Sequence, residues 1–243
     1  DHAMKSTDVP AASETMFADL QMPMLYPANV QEVIDYGLYG WAMSRFSGAW
    51  TGFKVTADTV DAAAPINGDP HQLKIILPDF EFPDDGVHIR AGDRWLLQEP
   101  RLRNFKLPAA LAFARANNLN KVVMQSPRPR IGIISSGKAA TDVRQALMEL
   151  GINDAQAADL GLVMLKMGMP FPFDGETVRA FADGLEEVIV VEEKRRFMEG
   201  RVRDLLYDLP DGRRPRVVGR HDQDGNEMLP GCGEFGAEEI ARA

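Results

Sequence analysis

Apolar and polar positions follow two different rhythms along this chain of 243 residues, and the change falls near residue 130. Before it, "SETMFADL" reads as a short helix with Ser13 as its N-cap. "MPMLYPAN" reads as a short apolar strand ending at Pro27, with Asn29 capping the next helix. In "VQEVIDYGLYGWAMSRFS", Val30, Val33, Ile34, Gly37, Leu38, Trp41 and Ala42 recur at helical spacing, which predicts one buried face. Gly37 and Gly40 each cost about 1 kcal/mol relative to Ala inside a helix, which points to close packing against a neighbour. "WTGFKVT" is a β-rich run, so residues 1–61 predict a βαβ unit of a parallel sheet.

Residues 62–129 have a different texture. "DAAAPINGDP" has the composition of a linker, and "HQLKIILPDFEFPDDGVHI" holds short apolar runs broken by Pro78, Pro83 and the turn Asp84–Gly86. "KLPAALAFARANNLNKVV" reads as helical from Leu107, with Leu107, Leu111, Ala114 and Arg115 on one face. The span predicts an irregular connector.

From Arg130 to residue 220 the pattern sharpens. "RIGIISSG", "LGLVMLKMG", "EEVIVVEEKR" and "RPRVVGR" are continuous apolar runs, as strands buried on both faces require. Three helices alternate with them: one closed by Gly151, one capped by Asp174, one stopped by Pro210. The expectation is a three-layer α/β/α domain with a mostly parallel sheet, and beyond it a tail at 221–243 that ends in another helix.

Composition narrows the classes. The formal net charge of −9 argues against a general nucleic-acid binder, since no cationic surplus exists to displace counterions. The single cysteine, Cys232, leaves no thiolate set for a zinc or iron–sulfur centre and no internal disulfide. No apolar run approaches eighteen residues, so a membrane span is not expected, and a cytoplasmic setting is.

Three groups of residues carry candidate chemistry. "SSGKAATD", between strand and helix, is either an anion-binding helix start or a tight turn capped by Ser136 or Thr141. Glu192, Glu193 and Lys194 come after a strand at the carboxyl edge, where open α/β sheets place their sites. Paired carboxylates there serve acid–base chemistry, or else an interdomain ion pair or the cap of the next helix. His2, His71, His88 and His221 show no metal spacing, and the methionines around Met164 and Met24 read as core filling.

The stretch "DHAMKS…ASETMFADLQMPMLYPANVQEVIDYGLYGWAMSRFSG" resembles the 2-oxoacid:ferredoxin oxidoreductases, specifically the long indolepyruvate:ferredoxin oxidoreductase type. "RPRIGIISSGKAATDVRQALMELGI", "KMGMPFP", "VIVVEEKRRFMEGRV" and "MLPGCGEF" are similar to the same family's later segments. The resemblance implies that 1–61 is the back half of a thiamine pyrimidine-binding domain, 62–129 a connector, 130–220 a transketolase C-terminal-like domain, and 221–243 the start of the next segment. Gly231 and Cys232 depart from the family's Ala-His in the last motif.

By that resemblance His2 is the loop histidine that faces the active site, and Lys5, Ser6 and Thr7 line the 2-oxoacid pocket. It implies oxidative decarboxylation of an aryl 2-oxoacid such as indolepyruvate to an acyl-CoA, with ferredoxin as electron acceptor. The whole enzyme is then expected to use thiamine diphosphate, Mg²⁺, 4Fe-4S clusters and coenzyme A. This chain, read as a fragment of it, is expected to hold none of these, to be inactive alone, and to pack on the rest of the parent chain or form a homodimer. The alternative is a standalone, non-catalytic interaction or assembly module of the same fold.

Overall fold

The structure is a computed structural model that describes residues 2, 5, 9–69, 71–90 and 92–243. Its main element is a five-stranded sheet of order β3-β5-β4-β6-β7, built from β3 (Asn120–Met124), β4 (Ile131–Ser135), β5 (Leu162–Met167), β6 (Glu187–Val191) and β7 (Arg216–Val218). β4 pairs in parallel with both β5 and β6, and β6 with β7; only β3, at the edge, is antiparallel. The expected mostly parallel sheet is therefore observed, with α6 (Gly137–Glu149), α7 (Asp154–Leu160), α8 (Gly175–Ala182) and α9 (Phe197–Tyr207) as its crossovers.

Side-chain alternation divides the core into two layers. Ile134, Val163, Leu165, Val188 and Val190 face α8 and α9, meeting Val178, Ala182, Phe197, Val202 and Leu206. Ile133, Met164 and Val191 face the other way, toward Ala139, Ala140 and Val143 of α6 and Ala157 of α7. Leu229, Phe235 and Ile240, the last from α10 (Ala237–Arg242), close that second layer, so the tail packs on the domain. Met164, Met167 and Met169 are fully buried, as core filling requires.

Ahead of this domain, α1 (Glu14–Asp19), β1 (Met24–Leu25), α2 (Val30–Ser47), β2 (Gly52–Phe53) and α3 (Ala57–Val60) form the βαβ unit, with β1 and β2 parallel. Asn29 caps α2 by accepting from Glu32 N at 3.0 Å, as its sequence position predicts. Ser13 and Ser136 stand at N-cap positions but make no side-chain cap bond, which corrects both expectations; Thr141 Oγ1 donates to the Lys138 carbonyl within the helix instead. β1 is also stitched to the main domain: Met24 N donates to Phe171 O at 2.7 Å and Tyr26 N to Gly168 O at 2.9 Å.

The buried face of α2 differs from the sequence expectation. Tyr36, Gly40, Met43 and Ser47 are buried, whereas Ile34, Leu38 and Trp41 are exposed. The helix carries two apolar stripes, and the one used packs on Ala110, Phe113 and Ala114 of α5 (Leu107–Ala116). Gly40 is a true close approach, with an added Cβ 3.2 Å from Leu25 Cδ1, but nothing lies within 4 Å of one at Gly37.

The connector has more structure than its composition indicates. α4 (Trp95–Arg101) runs through a π-helical turn at Leu102–Lys106 directly into α5. The residues after α5, expected to continue the helix, instead turn at Asn118, with φ of 52°, and form β3.

Candidate functional site

The carboxyl ends of β4 and β6 meet the carboxyl end of β2, and a chain of buried charged side chains fills that junction. Glu192 and Glu193 leave β6; Lys54 leaves β2; Glu14 opens α1; Tyr26 lies just past β1. His2 enters this junction and is buried. Its Nδ1 is hydrogen-bonded to Glu193 Oε2, and Lys54 Nζ approaches its Nε2 at 3.2 Å. Lys54 also donates to Glu14 Oε1 and lies 4.3 Å from the centroid of the Tyr26 ring. The order of groups is thus carboxylate, imidazole, ammonium, carboxylate.

Its two ends are anchored differently. Glu193 has Lys138 Nζ at 3.9 Å, and Lys138 in turn lies 2.7 Å from Asp142 and 3.5 Å from Glu234. Burial works against ionising Glu193, but the His2 hydrogen bond and the Lys138 charge outweigh it and hold its carboxyl below the usual range. Neighbouring Glu192 forms no ion pair among the described residues, although the Arg201 charge acts on it from farther off. Its burial dominates, opposed by hydrogen bonds from Met198 N at 2.7 Å and Glu199 N at 2.8 Å, and its carboxyl is pushed up to about 8. Both structural roles considered for this pair are present: Glu192 caps α9, and Glu193 carries the ion pair across the junction.

Of the other expected site residues, Lys5 reaches this junction only at its outer edge, through Glu234 and Lys138. Lys5 is exposed and pairs with Asp58 at 2.5 Å and Glu234 at 3.1 Å, so it ties α3 to the tail. Ser6 and Thr7 lie outside the described residues. His71 and His88 are exposed, His221 half-buried, and Cys232 exposed. The start of α6 does not present an open anion cradle. Gly137 adopts φ of 54°, and a Cβ there would collide with the Tyr26 ring that covers it. Lys54 and Glu14 are not visible as site residues in the sequence, where each is one charged residue among many.

Beside His2 the free space is only about 10 Å³, bounded by Glu14, Tyr26, Ser136, Glu192 and Glu193 among others. That is the room of about one water molecule. A larger groove of about 900 Å³, between Trp41, Trp50, Phe53 and Ile89, shares no lining residue with it.

Thiamine diphosphate with its metal ion and a 4Fe-4S cluster do not fit the described residues at this junction. Among the described residues no group of three His, Cys, Asp or Glu side chains is placed to hold a metal ion. One exposed cysteine cannot ligate a 4Fe-4S cluster, which takes four thiolates. The space beside His2 does not admit a thiamine ring.

Fold and site together define a mostly parallel α/β domain with a βαβ unit docked at its carboxyl edge and a buried acid–base array in the junction. The chain belongs to the indolepyruvate oxidoreductase domain family, whose model matches residues 121–243. It is 27% identical over 223 residues to the indolepyruvate oxidoreductase subunit IorA of Methanothermobacter marburgensis, covering 91% of this chain and 33% of that one. To the same subunit of Thermococcus kodakarensis it is 37% identical over 79 residues, covering 32% of this chain and 11% of that one. The chain thus spans about a third or less of the length of these relatives. Among solved structures, 2-oxoglutarate:ferredoxin oxidoreductase from Magnetococcus marinus matches with a TM-score of 0.49 and 15% identity, over 90% of this chain and 41% of that chain. A split-gene transketolase, an inactive β4 tetramer, matches with a TM-score of 0.42 and 12% identity, over 91% of this chain and 55% of that one.

Proposed function

We propose that the chain serves as the junction-forming part of a 2-oxoacid:ferredoxin oxidoreductase that oxidatively decarboxylates an aryl 2-oxoacid of the indolepyruvate kind. In that reading the longer protein supplies thiamine diphosphate with Mg²⁺, the 4Fe-4S clusters and the sites for coenzyme A and ferredoxin. In this reading those groups are held by the rest of the longer protein, and the chain alone is inactive. Its contribution is a rigid α/β scaffold plus one loop histidine, His2, offered to the substrate or to a group derived from it. The protein works as a cytoplasmic enzyme.

The family match over residues 121–243 supports the reaction class. The observation that carries the role of His2 is its placement. A loop imidazole is buried and gripped at both ring nitrogens by side chains from two separate parts of the fold. A loop residue with no task has no reason to be held between two buried charged side chains, since each buried charge costs several kcal/mol to desolvate.

The test is His2→Gln in an enzyme of the relatives' length. Loss of a positioned acid–base or hydrogen-bonding imidazole lowers kcat by roughly 10²-fold or more. An unchanged kcat would remove His2 from the chemistry.

A further inference from the structure

We infer that Glu193 is the positioning residue for His2: with Lys54 on the opposite side, it fixes the imidazole as the neutral Nδ1–H tautomer and leaves Nε2 as a hydrogen-bond acceptor. The inference rests on the reading of His2 as the residue offered to the substrate.

A neutral imidazole carries its proton on one nitrogen or the other, and the choice is set by what each nitrogen meets. Here the two neighbours are chemically unambiguous. A carboxylate has only acceptor oxygens and an ammonium has only donors. Glu193 at Nδ1 therefore demands the proton there, and Lys54 at Nε2 demands a lone pair there. Reversing the tautomer would set an N–H against the Lys54 ammonium and a lone pair against the Glu193 carboxylate, so both contacts turn repulsive at once.

Each neighbour is independently held. Glu193 is buried, with the Lys138 ammonium 3.9 Å from its other oxygen. Lys54 is buried, hydrogen-bonded to Glu14 and set over the Tyr26 ring. The frame comes from β6 and β2, two elements of separate sheets, so it specifies the imidazole only when the βαβ unit is docked on the main domain. Closing the junction thus sets both the ring's orientation and which nitrogen carries its proton.

The test is the nitrogen-15 long-range correlation spectrum of the chain's histidines, recorded without substrate at a pH where the His2 ring is neutral and assigned by loss of its signals in His2→Gln. The Nδ1–H form of His2 is expected in roughly tenfold excess or more, the preference a charge-assisted hydrogen bond imposes. Glu193→Gln should reduce that excess while leaving the patterns of His71, His88 and His221 unchanged. Lys54→Met should reduce it while keeping Glu193. A wild-type ring mainly in the Nε2–H form overturns the inference without reference to any variant, so a misfolded Glu193→Gln does not leave it untested. A Lys54→Met protein with an unaltered tautomer ratio removes Lys54 from the device.

In an enzyme of the relatives' length, Glu193→Gln should lower kcat with KM little changed, and adding it to His2→Gln should lower kcat no further. The two readings separate cleanly. If the tautomer is as stated but His2→Gln keeps full kcat, the proposed role of His2 fails and the positioning stands. If His2→Gln loses activity but the ring is Nε2–H, the positioning fails and the role stands.

Discussion

Arg115 lays its guanidinium on a single oxygen of Asp174, with Nε at 2.9 Å and Nη2 at 2.6 Å from Oδ1. The same carboxylate caps α8, taking Thr177 N at 3.3 Å and Thr177 Oγ1 at 2.6 Å. Asp174 is almost wholly enclosed, so one buried group joins the connector helix α5 to the main domain and starts a core helix. Losing a cap costs about 1 kcal/mol, and stranding one partner of a buried pair costs roughly 3–5 kcal/mol. Because Arg115 is partly exposed and can turn to water, Asp174→Ala is expected to cost about 2–4 kcal/mol. Urea unfolding monitored by circular dichroism checks this. Asp174→Asn, which keeps the cap and loses the charge, should fall between Ala and wild type. A near-neutral Asp174→Ala would mean that Arg115 and Thr177 are satisfied without it.

The two adjacent glutamates make opposite demands on pH. Glu192, pushed up to about 8 by burial, retains its proton in the folded chain across a range where the unfolded chain, near 4.5, has lost it. The folded state then binds more protons, so this group's contribution to stability falls as pH rises from about 4.5 to 8, by an upper limit of roughly 4–5 kcal/mol. Glu193 and Asp174 are held below their ordinary values, so their contributions are present above the unfolded value and disappear as pH falls through the folded one. The expected stability maximum is mildly acidic. Glu192→Gln removes the alkaline-side decline, so its stability relative to wild type should increase between about pH 5.5 and about pH 8.5. Parallel stability curves for the two proteins would show that Glu192 is ionised throughout.

How far the sequence carries depends on the range of the interaction concerned. The central strands are legible because burial on both faces writes an unbroken apolar run, as in "IGII" and "VIVV". α7 escapes a reading by apolar runs although its signal is present: Asn153 and Gln156 form a reciprocal capping box. β3 escapes it because no glycine or proline separates it from α5; Asn118 makes the turn in a left-handed conformation. The face of α2 is ambiguous because two apolar stripes fit the helical period, and only the position of α5 selects between them. The His2–Glu193 contact spans 191 positions of sequence. Spacing alone cannot encode it, and it is reachable only as a strand-end carboxylate of unstated partner.

Thiamine diphosphate should not bind the chain alone. The acid–base junction has room for about one water molecule, and no described group of acidic or histidine side chains is placed to hold the accompanying metal ion. Calorimetric titration with Mg²⁺ present is expected to show no saturable heat, with Kd weaker than about 1 mM, or about −4 kcal/mol. Micromolar binding, about −8 kcal/mol, would mean that the junction opens to form a site not visible in its closed arrangement.

The βαβ unit should be the least soluble part of the molecule. Trp41 and Trp50 are each 79% exposed, and Leu38, Ile34 and Phe53 on the same unit are exposed as well. β2 pairs only with β1 among the described residues, so its other edge offers unpaired backbone groups beside this apolar surface. Exposed apolar patches next to an open strand edge favour association. The third tryptophan, Trp95, is also exposed, so the chain's whole indole emission reports surface environments. At low concentration that emission should be red-shifted and readily quenched by acrylamide. As concentration rises it should move to the blue, in step with an increase in light-scattering mass, as Trp41 and Trp50 become covered by a second copy. Trp41→Ser with Trp50→Ser should abolish both changes while leaving the circular dichroism spectrum intact, because neither ring belongs to a core cluster. A wild-type chain that stays monomeric and red-shifted at every concentration would show that this surface is tolerated in water, and the expectation of a homodimer would go with it.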